Sequence, residues 1–226
     1  MVKTLFAISG ILCLASWAGP AYSQAVPDEP VYPPLRGVVW SFTVPTGDFA
    51  SETIKDSGPA SQGVGGGLMV YMPVGNSKVF SMGMEARFTY NQVDFSDLEA
   101  EYGPNAEFRD ESYRNIWLMG GLAYSFSDQI GMRGLAGLVI AGPPGIDFRS
   151  EKHVIFRTAD TDYTIGFGLG TTYRFNRSFF ADMTLLSCKP GYKIITDKAV
   201  EPVYNRFYDT LVRQESLMAV SLGWSF

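Results

Sequence analysis

Side chains able to do chemistry are few and scattered in this chain. One histidine is present, His153, within Ser150-Glu151-Lys152-His153-Val154-Ile155. A histidine base activates a nucleophile only when both are held together on rigid elements. His153 falls in an expected loop, and its position, spacing and neighbours all miss that template, so it reads as a solvated loop residue. The cysteines are Cys13 and Cys188. With a single histidine they make no metal-ligand cluster. No catalytic, cofactor or metal site is expected, and the chain does not read as an enzyme. Carboxylates crowd one stretch, with Asp94, Asp97, Glu99, Glu101, Glu107, Asp110 and Glu111 facing Arg109. Regular calcium-loop spacing is missing there. A repelling, solvated surface is the simpler reading, and divalent-cation or basic-partner binding the functional one. What is left is a set of charges inside otherwise apolar stretches: Glu85, Arg87, Arg133, Arg174 and Asp182. What they do depends on the elements that carry them.

The clearest such element is the last. From Leu217 to Phe226, Met218, Val220, Leu222, Trp224 and Phe226 alternate with Leu217, Ala219, Ser221, Gly223 and Ser225. Period two is a strand with one apolar face and one small or polar face. Seven further stretches share the pattern: 35–44, 64–72, 79–93, 113–126, 130–140, 162–175 and 179–188. Most reach the roughly 9–11 residues that a tilted strand needs to cross a bilayer. The connections alternate in length. Short ones, 73–78, 127–129 and 176–178, alternate with long polar ones, 45–63, 94–112, 141–161 and 189–214. Short turns on one side and long loops on the other are the pattern of an all-β, eight-stranded antiparallel up-and-down transmembrane β-barrel. A soluble barrel would bury the apolar face. Here the opposite face would have to be the core, and that face carries the five charges. Asp162 and Glu215 share it. An eight-stranded lumen is just wide enough for side chains to fill, so a plug of paired charges is expected.

The N-terminus reads as an export signal over residues 1–23. Lys3 supplies the positive charge, Leu5 to Trp17 the apolar core and Ala21-Tyr22-Ser23 the small residues. Cleavage falls before Gln24 or before Val26. Leu12 precedes Cys13 where a lipidation site wants a small residue. Processing leaves Cys188 alone, which rules out an intrachain disulfide. Residues 24–34 hold Pro27, Pro30, Pro33 and Pro34 and form an extended linker. The barrel then occupies 35–226. Beyond the signal there is no apolar run of about 18 residues, so any membrane residence must be as a barrel.

Three segments carry a family resemblance. Val38-Val39-Trp40-Ser41-Phe42-Thr43-Val44 runs into Pro45-Thr46-Gly47-Asp48-Phe49, Val64-Gly65-Gly66-Gly67-Leu68 is glycine-rich, and the chain ends Gly223-Trp224-Ser225-Phe226. Together they resemble the small outer-membrane β-barrel proteins of the OmpA/OmpX-like superfamily over residues about 35 to 226. The resemblance implies that terminal Phe226, with Trp224, is the signal read by the barrel-assembly machinery. One departure from that family is expected: the chain ends at the barrel, without the periplasmic peptidoglycan-binding domain of OmpA-type proteins. Architecture is what this superfamily shares, so it fixes no activity.

The expected protein is a monomer in the outer membrane of a Gram-negative bacterium, with both termini periplasmic. It is non-enzymatic, with a filled lumen, and serves envelope integrity or surface interaction through four long extracellular loops. A small channel or transport-associated barrel is the alternative. A lipid A-modifying enzyme is the third reading, although the His-x-Ser arrangement of deacylase barrels is missing. Expected partners are outer-membrane lipid and lipopolysaccharide, the assembly machinery and an unidentified surface partner. A net charge of -5 argues against nucleic acid.

Overall fold

The computed structural model describes residues 35–50, 60–77, 79–94, 107–108, 112–144, 146–149, 154–200 and 203–226. The expected signal and linker, His153 and most of the acidic stretch lie outside these residues. Eight strands close into an antiparallel barrel: β1 (Arg36–Thr46), β2 (Ala60–Pro73), β3 (Phe80–Val93), β5 (Ser112–Ser125), β6 (Ile130–Gly142), β9 (Asp162–Arg174), β10 (Phe179–Cys188) and β13 (Glu215–Ser225). The first and last strands seal it in an unbroken register from Gly37 opposite Ser225 to Thr46 opposite Ser216. Closure leaves the barrel no unpaired edge, so every strand's backbone groups are satisfied by neighbours.

Alternation decides the two faces. Trp40, Val64, Met84, Leu122, Ile165, Leu222 and many more apolar side chains are exposed on the exterior. Inside, Met69, Tyr71, Trp117, Met119, Val139, Phe180, Leu186 and Leu217 are buried among polar residues such as Thr43, Thr89, Asn91 and Thr184. That is the reverse of a water-soluble barrel, whose exterior is polar. Small residues make the filling possible. A Cβ added at Gly223 would lie 2.1 Å from the Phe180 ring, so only glycine lets that ring lie against β13.

One barrel end carries three short connections, and each uses the same device. Ser77 accepts from Phe80 N–H at 2.9 Å, Ser127 from Ile130 N–H at 3.1 Å, and Asn176 from Phe179 N–H at 2.8 Å. Side-chain oxygens of this kind satisfy the amides that a tight turn strands. The first and last barrel strands are tied in at the same end, with Phe226 N–H donating to Arg36 O and Ser225 N–H to Ser178 O. An aromatic girdle surrounds it on the exterior. Phe80 meets Tyr124, Tyr124 meets Phe126, Tyr173 meets Phe175 and Trp224 meets Phe226, all edge-on with centroids 5.0–6.2 Å apart.

The opposite end departs from expectation. The stretches 94–112, 141–161 and 189–214, expected as polar loops, contain strands. β4 (Glu107–Phe108), β7 (Ile146–Arg149), β8 (Val154–Ala159), β11 (Gly191–Val200) and β12 (Val203–Val212) form a second, five-stranded sheet in the order β12-β11-β8-β7-β4. The reason they are hard to see in sequence is physical. This sheet lies outside the closed barrel, and β4 and β7 span only two and four residues, too few for a period to register. Its register is pinned instead by pairs such as Asp197 opposite Arg206, bidentate at 2.6 and 2.9 Å.

Candidate functional site: a charge ring in the lumen

Glu85 and Arg87 are two residues apart on β3, so both side chains enter the lumen together. Arg133 enters from β6 and Asp182 from β10. The four close a ring. Arg87 Nε meets Glu85 Oε2 at 2.8 Å, and Arg87 Nη2 meets Asp182 Oδ2 at 2.8 Å. Arg133 Nη1 meets Asp182 Oδ1 at 2.7 Å, and Arg133 Nε closes the circuit on Glu85 Oε1. None of these side chains is more than 2% exposed. Two cations and two anions leave the ring neutral. Neutrality matters because an unpaired ion at such burial is very costly.

A polar collar completes the ring. Tyr71 Oη donates to Glu85 at 2.8 Å, and Arg133 donates to Thr172 at 2.8 Å and Thr184 at 2.7 Å. Thr184 and Thr172 in turn donate to Asp182 at 2.8 and 3.2 Å. Room for the Arg133 guanidinium comes from Gly170, where a Cβ would sit 2.6 Å from its Cζ. The sequence pattern places Tyr71, Thr172 and Thr184 inward by parity, but nothing in it marks them as partners.

Two sequence expectations need correction here. Arg174 does not join the ring. It is half-buried at the turn end of β9, where its electrostatic neighbour is Asp128 on the β5–β6 turn. Counted from the turns in the sequence, Glu85 and Arg87 stand above Arg133 and Asp182, yet the four meet. Strand tilt explains the discrepancy. The pairing line from Glu85 runs through Met119 and Gly137 to Gly166 and Cys188, not to Arg133 and Asp182. Residues on one pairing line climb around a sheared barrel, so counting from the turns misjudges their height.

Nearer the five-stranded sheet lies a second polar group. Glu215, fully buried, accepts from Asn115 Nδ2 at 2.7 Å and from Tyr192 Oη. Asp162, also expected inward, accepts from Gly191 N–H at 2.7 Å. Cys188 is buried and unbonded to any sulfur. Arg213, within the stretch 189–214 expected as a long polar loop, is buried beside Phe49 and Tyr113. Trp224 and Phe226 both sit exposed on the exterior at the turn end. Among the described residues no group of His, Cys, Asp and Glu is arranged to hold a metal. All four carboxylate oxygens of the ring are engaged by guanidinium nitrogens, while Arg87 Nη1 is buried without a hydrogen-bond partner.

No protein-family model and no curated protein matches the sequence. Solved structures do resemble the fold. The outer membrane protein OprG from Pseudomonas aeruginosa aligns over 85% of this chain and 94% of its own, with 11% identity and a TM-score of 0.47. A major outer membrane protein from Thermus thermophilus aligns over 84% and 99%, with 11% identity and a TM-score of 0.49. Ail, the attachment invasion locus protein of Yersinia pestis, aligns over 85% and 99%, with 10% identity and a TM-score of 0.44. At this level the likeness carries no functional weight.

Proposed function

We propose that the protein is a non-enzymatic β-barrel of the Gram-negative outer membrane, with its short turns and both termini on the periplasmic side. Its lumen is a filled core rather than a conduit. The five-stranded sheet and the long connections act outside the cell, in envelope integrity or contact with a surface partner. The observation that carries this reading is the neutral ring of Glu85, Arg87, Asp182 and Arg133, which stretches side chains from three strands across so narrow a lumen. The apolar exterior and its aromatic girdle support residence in lipid. Arg114, exposed 5.9 Å over the Tyr90 ring at the sheet end, supports lipopolysaccharide as a neighbour. Trp224 and Phe226 would be read by the assembly machinery as the last strand is delivered.

Reconstitution into planar bilayers tests the closed lumen. The unmodified protein should give no steady conductance, and large stable openings would make it a channel instead. Incubation with lipopolysaccharide should leave lipid A masses unchanged. A mass shift would assign it an enzymatic role.

A further inference from the structure

At the end of the barrel facing the five-stranded sheet, the chain leaving β1 turns inward. A 3-10 turn, Gly47–Phe49, follows Thr46 directly, and Phe49 is fully buried. One side chain touches both the turn and the barrel wall. Arg213, just ahead of β13 and 2% exposed, places its guanidinium carbon 5.3 Å from the centroids of both Phe49 and Tyr113. The two rings meet edge-on at 4.9 Å. The same guanidinium donates to the carbonyls of Asp48 at 3.3 Å and Phe49 at 3.1 Å, and to the Tyr113 hydroxyl. Its own backbone N–H is anchored on Pro190 O at 3.1 Å. Below it lie Asn115, Tyr192 and Glu215, and Cys188 stands directly opposite Glu215 in the β10–β13 register.

We propose that the turn is a strap closing the barrel mouth, hinged at Gly47 and latched by Arg213, and that it opens as a unit while the charge ring below stays shut. Three features support this. Gly47 has φ +60, and a Cβ there would meet nothing within 4 Å, so the hinge is held by backbone conformation and not by packing. Gly47 and Asp48 face solvent. Among the described residues, both side-chain hydrogen bonds to the turn's carbonyls come from one guanidinium, and Phe49 adds its edge-on contact with Tyr113, whereas freeing any barrel strand would break two full ladders of hydrogen bonds. Segments secured so locally open with less free energy than the fold around them. This device is independent of whether the ring blocks conduction, because it governs only the chamber above the ring.

Cys188 is a built-in reporter. It faces the lumen just beneath the strap and is 3% exposed. Its reaction with a water-soluble maleimide, read on the Cys188 peptide by mass, reports how often the mouth opens. The native protein should label slowly. Arg213→Gln, which loses the stacking and the fork of donors, should label at least about tenfold faster. Gly47→Ala should also label about tenfold faster, the cost of forcing an L-residue into the left-handed region, and its open surroundings leave the barrel intact. Migration of the unheated protein in SDS confirms folding in each case. Ala123→Cys, an inward position near the turn end below the ring, is the control and should keep one rate in all backgrounds. Unchanged Cys188 labelling in both variants overturns the strap. So does a parallel rise at position 123, which would mean that the whole barrel had loosened.

Discussion

Arg133→Ala is the most informative perturbation of the ring. The side chain supplies two of its four ion pairs, to Glu85 and Asp182, and two hydrogen bonds, to Thr172 and Thr184. Without it, Arg87 alone must neutralise both carboxylates, and the buried site carries a net negative charge. Removing one partner of a buried pair costs roughly 3–5 kcal/mol, mostly the penalty of the charge left behind. The upper half of that range is expected here, because two carboxylates are affected at once. The assay is reversible urea unfolding in lipid vesicles, followed by tryptophan emission and by heat-shifted migration in SDS. A second substitution separates electrostatics from lost packing. Adding Glu85→Gln to Arg133→Ala returns the ring to neutrality, with Arg87 facing Asp182. The pair should therefore be less damaging than the sum of the single changes, by about 1–3 kcal/mol of coupling. Glu85→Gln alone should be destabilising, since it leaves two cations around one carboxylate. Strictly additive losses, or a loss below about 1 kcal/mol for Arg133→Ala, would falsify the claim that the four charges act as one closed unit.

Arg174→Ala, by contrast, should cost about 1 kcal/mol or less in the same assay, as expected of a half-buried charge beside Asp128 at the barrel rim; a loss matching that of Arg133→Ala would return Arg174 to the ring. Leu222→Arg places a charge on the apolar exterior between Trp40 and Ala181. It should destabilise the barrel in lipid by roughly 2–4 kcal/mol if that level is the bilayer midplane, and a neutral outcome would argue against a lipid-facing belt. Deleting Trp224 to Phe226 removes the last girdle aromatics and the amide that donates to Arg36. Cell fractionation should then show less assembled barrel and more periplasmic degradation, and normal assembly would strip this end of its signalling role.

Much of the barrel is legible in one dimension, and for one reason. A strand between lipid and lumen must alternate, because its two faces meet different solvents. The inward placement of Glu85, Arg87, Arg133 and Asp182 follows from that parity alone. So do the eight strands, and with an even number of them the barrel starts and finishes at one end. What parity does not contain is height. Strand tilt and shear decide that Arg133 and Asp182 meet Glu85 and Arg87 while Arg174, on the same inward face, stands apart at the rim. Shear is a property of the closed ring of strands as a whole, and no single strand records it. The same limit applies at the barrel mouth. Arg213 and Phe49 are 164 residues apart, and only closure of β13 against β1 brings a loop arginine over an aromatic ring. The five-stranded sheet escapes sequence reading for the opposite cause. Its strands belong to no closed barrel, and two of them are only two and four residues long, so backbone pairing holds segments too short to show a period. Alternation is thus written residue by residue by the environment, whereas partnership across the lumen is set by the geometry of closure.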